Sequence, residues 1–226
     1  MKRKITGLLL GLLTVWGGLS KLTGQGEVAA PAPLGIISGQ AVGRVILDGN
    51  LNTEVLMYFP AIEGVGTNLF NGTPGVRTAF FSARSNKFNG LALVNSNVGI
   101  LTLAPGSERI VMSVYFNPNP DRDFTRPETF SDGQLVGVYP VSAGSTTLVE
   151  GANSTFVYSA QLESSTPFTF RGRAYDGRNL LPAFSVFLNG SASFIPALQG
   201  GSGFVIPMAG VMIAANRSGS GSVAPY

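Results

Sequence analysis

Oxygen-bearing side chains recur at alternate positions in one segment of the chain, and this spacing is typical of a calcium-binding loop. The residues are Asn117, Asn119, Asp121 and Asp123, and Glu128 stands eleven positions after Asn117. In loops of the EF-hand type, alternating ligands converge on the ion and the last glutamate binds through both carboxylate oxygens. The pattern therefore predicts Ca²⁺ as a candidate cofactor, held by these five residues.

The same segment also has a simpler interpretation. Arg122 stands where a calcium loop requires glycine, Pro118 and Pro120 interrupt the ligand positions, and no flanking helix is predicted. The segment is then a surface connection that proline stiffens, and its charged side chains are hydrated. Both interpretations stay open at the level of sequence.

A second group of candidates is aromatic and basic. Sugar rings stack on flat aromatic faces, so tyrosines that lie exposed on strands are candidates for ligand binding. Arg171 and Arg173 lie two positions apart on a strand predicted over residues 166–175, and would share a face that binds an anion or a partner. Alternatively, the tyrosines pack in the core and the arginines protect a strand edge from unwanted pairing. The candidate ligand-binding residues are Tyr115, Tyr139, Tyr175, Arg171 and Arg173.

The composition limits the available chemistry, because the chain contains no histidine and no cysteine. Ser-His-Asp triads, Cys-His dyads, ordinary zinc or copper sites and disulfides all require these residues. Paired carboxylates would still permit glycoside hydrolysis, but the 12 acidic residues are scattered along the sequence. We expect a protein that is not an enzyme and that needs no cofactor apart from the candidate Ca²⁺.

The N-terminus has the layout of a secretory signal peptide. Basic residues at positions 2–4 precede an apolar run over residues 5–15, and small residues follow as far as Ser20. Cleavage is predicted after residue 20, or as late as residue 30. The apolar run is shorter than the roughly 20 residues of a membrane-spanning helix, so we expect no stable membrane span unless the leader stays uncleaved. The predicted location is secreted, periplasmic or at the cell surface.

Loss of the leader changes the charge balance. Without the basic residues at positions 2–4, the 15 basic residues fall to 12 and equal the 12 acidic ones. A formally neutral protein lacks the basic surface by which nucleic acids are bound, so no nucleic-acid partner is expected.

The rest of the chain has the character of β-structure. Short segments rich in valine, phenylalanine, tyrosine and threonine alternate with turn dipeptides, and no amphipathic helical periodicity follows the leader. The turn dipeptides are Asp48-Gly49, Asn71-Gly72, Asn89-Gly90, Asp132-Gly133, Asp176-Gly177 and Asn189-Gly190. Of these, Asn189-Gly190 is predicted to turn a hairpin between strands that end at Leu188 and begin at Ala192. The fold class predicted is all-β, an antiparallel β-sandwich of the jelly-roll or Ig-like Greek-key kind, after the signal peptide.

One compositional break divides the strand-rich region. Residues 117–132 are rich in proline and aspartate and are predicted to form a long loop within one sandwich domain over residues 36–215. The alternative is two small β domains, over residues 36–116 and 133–215. Residues 216–226 form a Ser/Gly-rich tail that is predicted to be flexible.

These observations together predict an exported, non-enzymatic β-sandwich protein with a structural or adhesive role at a surface or in the extracellular matrix. A near-neutral surface rich in small polar residues favours self-association, or binding to other surface proteins or polysaccharide. The alternative is a carbohydrate-binding module or, with less support, a carboxylate-dependent glycoside hydrolase.

Overall fold

The structure is a computed structural model, and it describes residues 37–50, 52–66, 68–89, 91–95, 98–103, 109–191 and 203–214. The strands in these ranges are β1 (Ile37–Leu47), β2 (Asn52–Ile62), β3 (Phe81–Ser85), β4 (Phe88–Asn89), β5 (Leu91–Asn95), β6 (Val98–Leu103), β7 (Val111–Phe116), β8 (Gln134–Val149), β9 (Asn153–Gln161), β10 (Ser164–Ser165), β11 (Phe168–Phe170), β12 (Arg173–Tyr175), β13 (Ala183–Ser191) and β14 (Phe204–Ala214). The helical elements are two 3-10 turns, Val76–Thr78 and Pro127–Ser131, and one α-helical turn, α1 (Gly177–Leu180). The prediction of an all-β chain is confirmed.

Eight strands close into an antiparallel ring. Their order is β8, β7, β3, β2, β1, β14, β13 and β9, and β9 pairs back to β8. Four strands of the ring precede residues 117–132 in the chain, and the other four follow them. In the ring, the first strand, β1, lies between β2 and the last strand, β14. Outside the ring, β5 and β6 extend the sheet from the second half of β8, while β4 pairs with β2 and β10 with β8.

The predicted sandwich is therefore wrong, because one sheet closes on itself and does not stack on a second sheet. Closure depends on β8, which has 16 residues, long enough to pair with β7 and β6 along one edge and with β9 along the other. Register shifts lie within both the β7–β8 and β8–β9 pairings, and such bulges bend a strand and increase its twist. Closure leaves the ring strands without a free edge.

The hydrophobic core fills the inside of the ring. Along β13, Phe184, Val186 and Leu188 are buried, whereas Phe187 is 40 % exposed on the outer face. This alternation arises because successive side chains of a strand point to opposite faces. The same alternation in the other ring strands supplies the remaining core residues.

A second, smaller apolar layer covers the outer face of β2 and β3. Leu56 on β2 and Phe130 in the Pro127–Ser131 turn are both 0 % exposed. The Tyr58 ring on β2 contacts Phe124, with ring centroids 6.4 Å apart, and Phe124 in turn contacts Phe130. Residues 117–132 therefore pack against the barrel wall.

One end of the barrel is closed by the β11–β12 hairpin and α1. The rings of Phe168 and Phe81 lie 5.5 Å apart, and Tyr175 stacks on Phe168 at 5.4 Å. Leu180 of α1 is 6 % exposed and belongs to the same core cluster. No helix in the described part of the chain is long and apolar enough to cross a lipid bilayer.

The predicted turns have mixed outcomes. Gly72 and Gly133 have φ values of 105° and 102°, and Gly49 lies in a turn, as predicted. The predicted hairpin at Asn189-Gly190 is wrong, because both residues lie inside β13 and pair with β9 and β14. A Cβ atom on Gly190 would collide with the Pro207 carbonyl oxygen, so glycine here allows two strands to approach closely.

Several predictions fall outside the described residues. The signal peptide, its cleavage site at residue 20 or 30, the residue Gly90, the segment that contains Ala192 and the tail at 216–226 all belong to this group. The structure does not test them.

Candidate functional site

Four cavities and clefts in the described structure differ in size. Two cavities inside the barrel measure about 50 and 60 Å³, whereas two clefts on its outside measure about 410 and 440 Å³. Pockets that hold small ligands usually measure about 300–1,000 Å³. Of these four, only the two outer clefts reach that size.

We call one of these clefts the polar groove. It lies on the outer face of β2, β3 and β7, beside the layer formed by residues 117–132. The residues that line it are Glu54, Arg84, Ser85, Asn86, Lys87, Val111, Ser113, Tyr115 and Ser131.

Strand register explains why these side chains meet. Arg84 on β3 pairs with Leu56 on β2 and with Ser113 on β7, so Glu54, two residues before Leu56, is its diagonal neighbour on the same face. Ser82 pairs with Tyr115 in the next row. A register shift between Val114 and Tyr115 lies at this point of the β7–β8 pairing, and bulges of this kind commonly redirect side chains.

An ion pair forms the floor of the polar groove. Arg84 Nε lies 2.6 Å from Glu54 Oε1, and the Glu54 side chain is only 7 % exposed. Arg84 Nη1 also donates a hydrogen bond of 3.2 Å to Ser131 Oγ. The guanidinium is therefore fixed by two partners before any ligand arrives, which reduces the entropy that binding would cost.

Three other polar groups around the groove are without a hydrogen bond within the described chain, although the Lys87 charge acts on the Asp48 carboxylate. These are the hydroxyls of Tyr115 and Ser113 and the Lys87 ammonium, for which no hydrogen bond occurs among the described residues. Leu135, which pairs with Tyr115 across β7 and β8, is 40 % exposed. The groove thus combines free hydrogen-bonding groups with an aromatic ring and a neighbouring apolar side chain.

Asn86 fixes the position of the chain segment that carries Lys87. Asn86 Oδ1 accepts a hydrogen bond of 2.7 Å from the Val111 backbone N–H, and Asn86 Nδ2 donates to the Arg109 carbonyl oxygen at 3.0 Å. These contacts join the end of β3 to the start of β7. They fix the rim of the groove on that side.

The three predicted tyrosines do not come together. Tyr115 lines the polar groove, but Tyr139 and Tyr175 are each 5 % exposed and belong to the core. Burial raises the pKa of the Tyr139 phenol, and the nearby Asp176 carboxylate adds to this effect. Neither of these two rings presents a face to solvent on which a sugar could stack.

The two predicted arginines lie at the tip of the hairpin. The single strand predicted over residues 166–175 is wrong, since Arg171 and Gly172 form the turn between β11 and β12 with φ values of 51° and 78°. Each guanidinium lies over an aromatic ring of its own hairpin, Arg171 over Phe170 at 5.1 Å and Arg173 over Tyr175 at 5.9 Å. Arg173 also lines the second outer cleft.

Three of the five predicted calcium ligands, Asn117, Asp121 and Asp123, are engaged by contacts within the chain, and Glu128 lies in the Pro127–Ser131 turn. Asn117 Oδ1 accepts the Asn119 N–H at 2.9 Å, and Asp121 lies 3.6 Å from Arg126. The Asp123 carboxylate accepts hydrogen bonds from the N–H and hydroxyl of Thr125. These bonds lower its pKa, as does the charge of Arg77, which lies 3.1 Å from it.

The segment is organised around a buried cation. Arg122 is 0 % exposed and donates to the backbone carbonyl oxygens of Ala79 and Phe80. Burial lowers its pKa to about 10, although Asp121 and Asp132 oppose this effect. No three acidic side chains converge in the parts of the chain that the structure describes, and the calcium site stays a prediction without support from this arrangement.

Sequence reasoning missed most of the polar groove. Glu54 and Arg84 are 30 positions apart, so no local spacing relates them. The available signal was a charged residue near the start of β2 and another near the end of β3, each on the face that alternation assigns to solvent. Comparison of the chain with protein-family models, with curated proteins and with solved structures gave no match.

Proposed function

We propose that this protein is an exported, non-enzymatic binding protein that holds a saccharide in the polar groove. The observation that carries the proposal is the position of Tyr115 beside the Arg84–Glu54 pair, in an open cleft of about 410 Å³. If the saccharide is part of a surface polysaccharide, binding is also adhesion. This combines the adhesive role and the carbohydrate-binding alternative predicted from the sequence.

The chemistry of the groove suits a hydroxylated ligand. Sugar hydroxyls both donate and accept hydrogen bonds, and the groove offers donors at Lys87 and Arg84, an acceptor at Glu54 and hydroxyls that do both. The Tyr115 ring and exposed Leu135 supply apolar surface for the C–H face of a sugar ring. Since Arg84 is neutralised by Glu54, Lys87 leaves the groove with one net positive charge, which favours neutral or acidic sugars.

Binding is proposed here, and not hydrolysis. Glycoside hydrolysis ordinarily uses two carboxyl groups on opposite sides of the scissile bond. Glu54 is the one carboxylate that lines the polar groove within the described residues, and its Oε1 atom is engaged by Arg84. The export of the protein rests on the predicted leader alone.

Binding of the full-length protein to an array of neutral and acidic glycans tests the proposal. We expect saturable binding to at least one glycan, and about a tenfold loss of affinity in Tyr115→Ala, which corresponds to about 1.4 kcal/mol. The matched control is Phe187→Ala, which removes an aromatic ring that is 40 % exposed on the outer face of β13, away from the groove. This variant should bind as the wild type does.

Two results would contradict the proposal. One is the absence of glycan binding by a folded protein, and the other is equal binding by wild type and Tyr115→Ala. A hydrolysis assay on each bound glycan separates the alternatives, because release of reducing ends would identify an enzyme.

A further inference from the structure

The barrel interior contains a site that the saccharide proposal does not use. We call the interior cavity of about 50 Å³ the Tyr158 cavity. Its wall includes Val45, Val55, Met112, Phe156, Tyr158 and Met208. The other interior cavity, of about 60 Å³, is lined by Tyr139, Phe184 and Met212 among others, and we call it the Phe184 cavity.

The Tyr158 hydroxyl has an unusually poor partner. It points across the lumen to Met57, and its oxygen lies 3.7 Å from the Met57 sulfur. A thioether is a weak hydrogen-bond acceptor, and a buried hydroxyl without a good partner carries a free-energy cost. No better acceptor for this hydroxyl occurs among the described residues.

Water is a poor occupant of the Tyr158 cavity. A buried water molecule needs two to four polar partners, and empty cavities with apolar walls tend to stay dry. The wall of the Tyr158 cavity is mainly aliphatic and aromatic, with Thr53, Ser145 and Thr146 as its other polar residues. A molecule with an apolar body and one acceptor atom matches this wall better than water does.

The methionines make the interior adaptable. The chain has 5 methionines, and all except Met1 are buried in the barrel core: Met57, Met112, Met208 and Met212. Methionine side chains are unbranched and repack readily around different partners. This matters because the cavity is smaller than the engineered apolar cavity of about 150 Å³ that admits benzene, so a ligand of more than a few heavy atoms requires their movement.

We infer that the Tyr158 cavity binds a small apolar molecule that carries one hydrogen-bond acceptor, such as a short-chain ketone, with the acceptor oxygen replacing the Met57 sulfur as partner of the Tyr158 hydroxyl. Binding of the apolar body removes the cavity. The new hydrogen bond selects ketones over alkanes of the same length. Tyr158 is thus a specificity-determining residue of this second site.

Titration of the full-length protein, labelled with ¹³C in its methionine methyl groups, with 2-pentanone and with n-pentane tests the inference. We expect saturable shifts in the Met57, Met112 and Met208 signals, while Met212, in the Phe184 cavity, serves as an internal reference. Tyr158→Phe should weaken ketone binding about five- to tenfold and leave alkane binding unchanged. Tyr139→Phe, at the other cavity, is the matched control and should leave both affinities unchanged.

A second variant keeps the inference testable if Tyr158→Phe does not fold. Met57→Leu removes the competing acceptor and should strengthen ketone binding about two- to threefold. Absence of saturable shifts with both compounds overturns the cavity as a binding site. Equal ketone binding by wild type, Tyr158→Phe and Met57→Leu overturns the role of Tyr158, and neither result bears on glycan binding in the polar groove.

Discussion

Arg84 and Glu54 form an ion pair in which the two partners are unequally buried. Arg84 Nε lies 2.6 Å from Glu54 Oε1, yet the Arg84 side chain is 29 % exposed and the Glu54 side chain only 7 %. Removal of the arginine therefore leaves a carboxylate that is both buried and unpaired. Removal of the carboxylate leaves a guanidinium that still reaches solvent.

This asymmetry predicts unequal effects of two substitutions on stability. We expect Arg84→Met to lower the free energy of unfolding by about 2–4 kcal/mol, because the Glu54 charge loses its partner. Glu54→Gln should cost about 1 kcal/mol, since the amide oxygen still accepts from Arg84 Nε. Urea unfolding of both variants at neutral pH measures the difference.

The double variant Glu54→Leu/Arg84→Met is the control for this prediction. It removes both charges and should recover most of the stability lost in Arg84→Met. If Arg84→Met and the double variant are equally unstable, the cost comes from lost packing and the explanation by an unpaired charge is wrong.

The β11–β12 turn predicts a stabilising substitution. Arg171 has a φ of 51° in this turn, a left-handed conformation that costs an L-residue roughly 1–2 kcal/mol and that asparagine tolerates better. Arg171→Asn should therefore raise the melting temperature, whereas Gly172→Ala, at a φ of 78°, should lower it. An unchanged melting temperature in both variants would show that the hairpin tip contributes nothing to barrel stability.

Asp176 predicts a stability that depends on pH. Its carboxylate accepts hydrogen bonds from Ser165 Oγ at 2.5 Å and from the Arg178 N–H at 2.9 Å. Partial burial raises its pKa, but these bonds and the Arg178 charge outweigh burial and lower the pKa below 3.8. The folded state therefore holds the proton less tightly than the unfolded state, and the resulting stabilisation is present above pH 3.8 and is lost as the pH falls through the folded value.

Two variants separate the charge of Asp176 from its capping role. Asp176→Asn keeps an N-cap for α1 and should cost up to about 1 kcal/mol at pH 7, with little cost at pH 3. Asp176→Ala loses the cap as well and should cost about 1 kcal/mol even at pH 3. Urea unfolding at both pH values makes the comparison, and an Asn variant equally destabilised at pH 3 and pH 7 would refute the charge effect.

Local pattern predicted the strands but not their closure. The alternation along β13 and the turns at Gly72 and Gly133 follow from neighbouring residues, and the structure contains them. The pairing of β8 with β9, which changes a predicted sandwich into a barrel, runs along the second half of the long β8 strand and contains a register shift between Val141 and Ala143. Sandwich and barrel strands have the same alternation of buried and exposed residues, so the pattern could not separate the two.

The candidate sites show the same limit. Residue type alone marked Tyr115, Tyr139 and Tyr175, but only strand direction separates Tyr115 in the polar groove from two rings in the core. The alternation of apolar and polar residues over 166–175 predicted one strand, and arginine at position 171 gave no sign of a turn because it seldom adopts a positive φ. Glu54 and Arg84 lie on strands that are neighbours in the sheet but distant in sequence. Ion pairing and hydrogen bonding of this kind leave no local spacing in a sequence.

The buried tyrosines predict how the barrel unfolds in alkali. Burial raises the pKa of both Tyr139 and Tyr158 above the ordinary value of 10.0, so above pH 10 the folded barrel keeps phenolic protons that the unfolded chain releases. The folded state binds more protons there, and the free energy of unfolding must fall as the pH rises, by about 1 kcal/mol between pH 10 and 11 for each such tyrosine. Urea unfolding at several pH values between 10 and 11 measures this dependence. The fall in the free energy of unfolding with pH should be smaller by this amount in Tyr158→Phe. Met57→Leu alters the same contact without removing a proton and should keep the wild-type slope, while a wild-type slope in Tyr158→Phe would mean that this phenol ionises as freely in the barrel as in water.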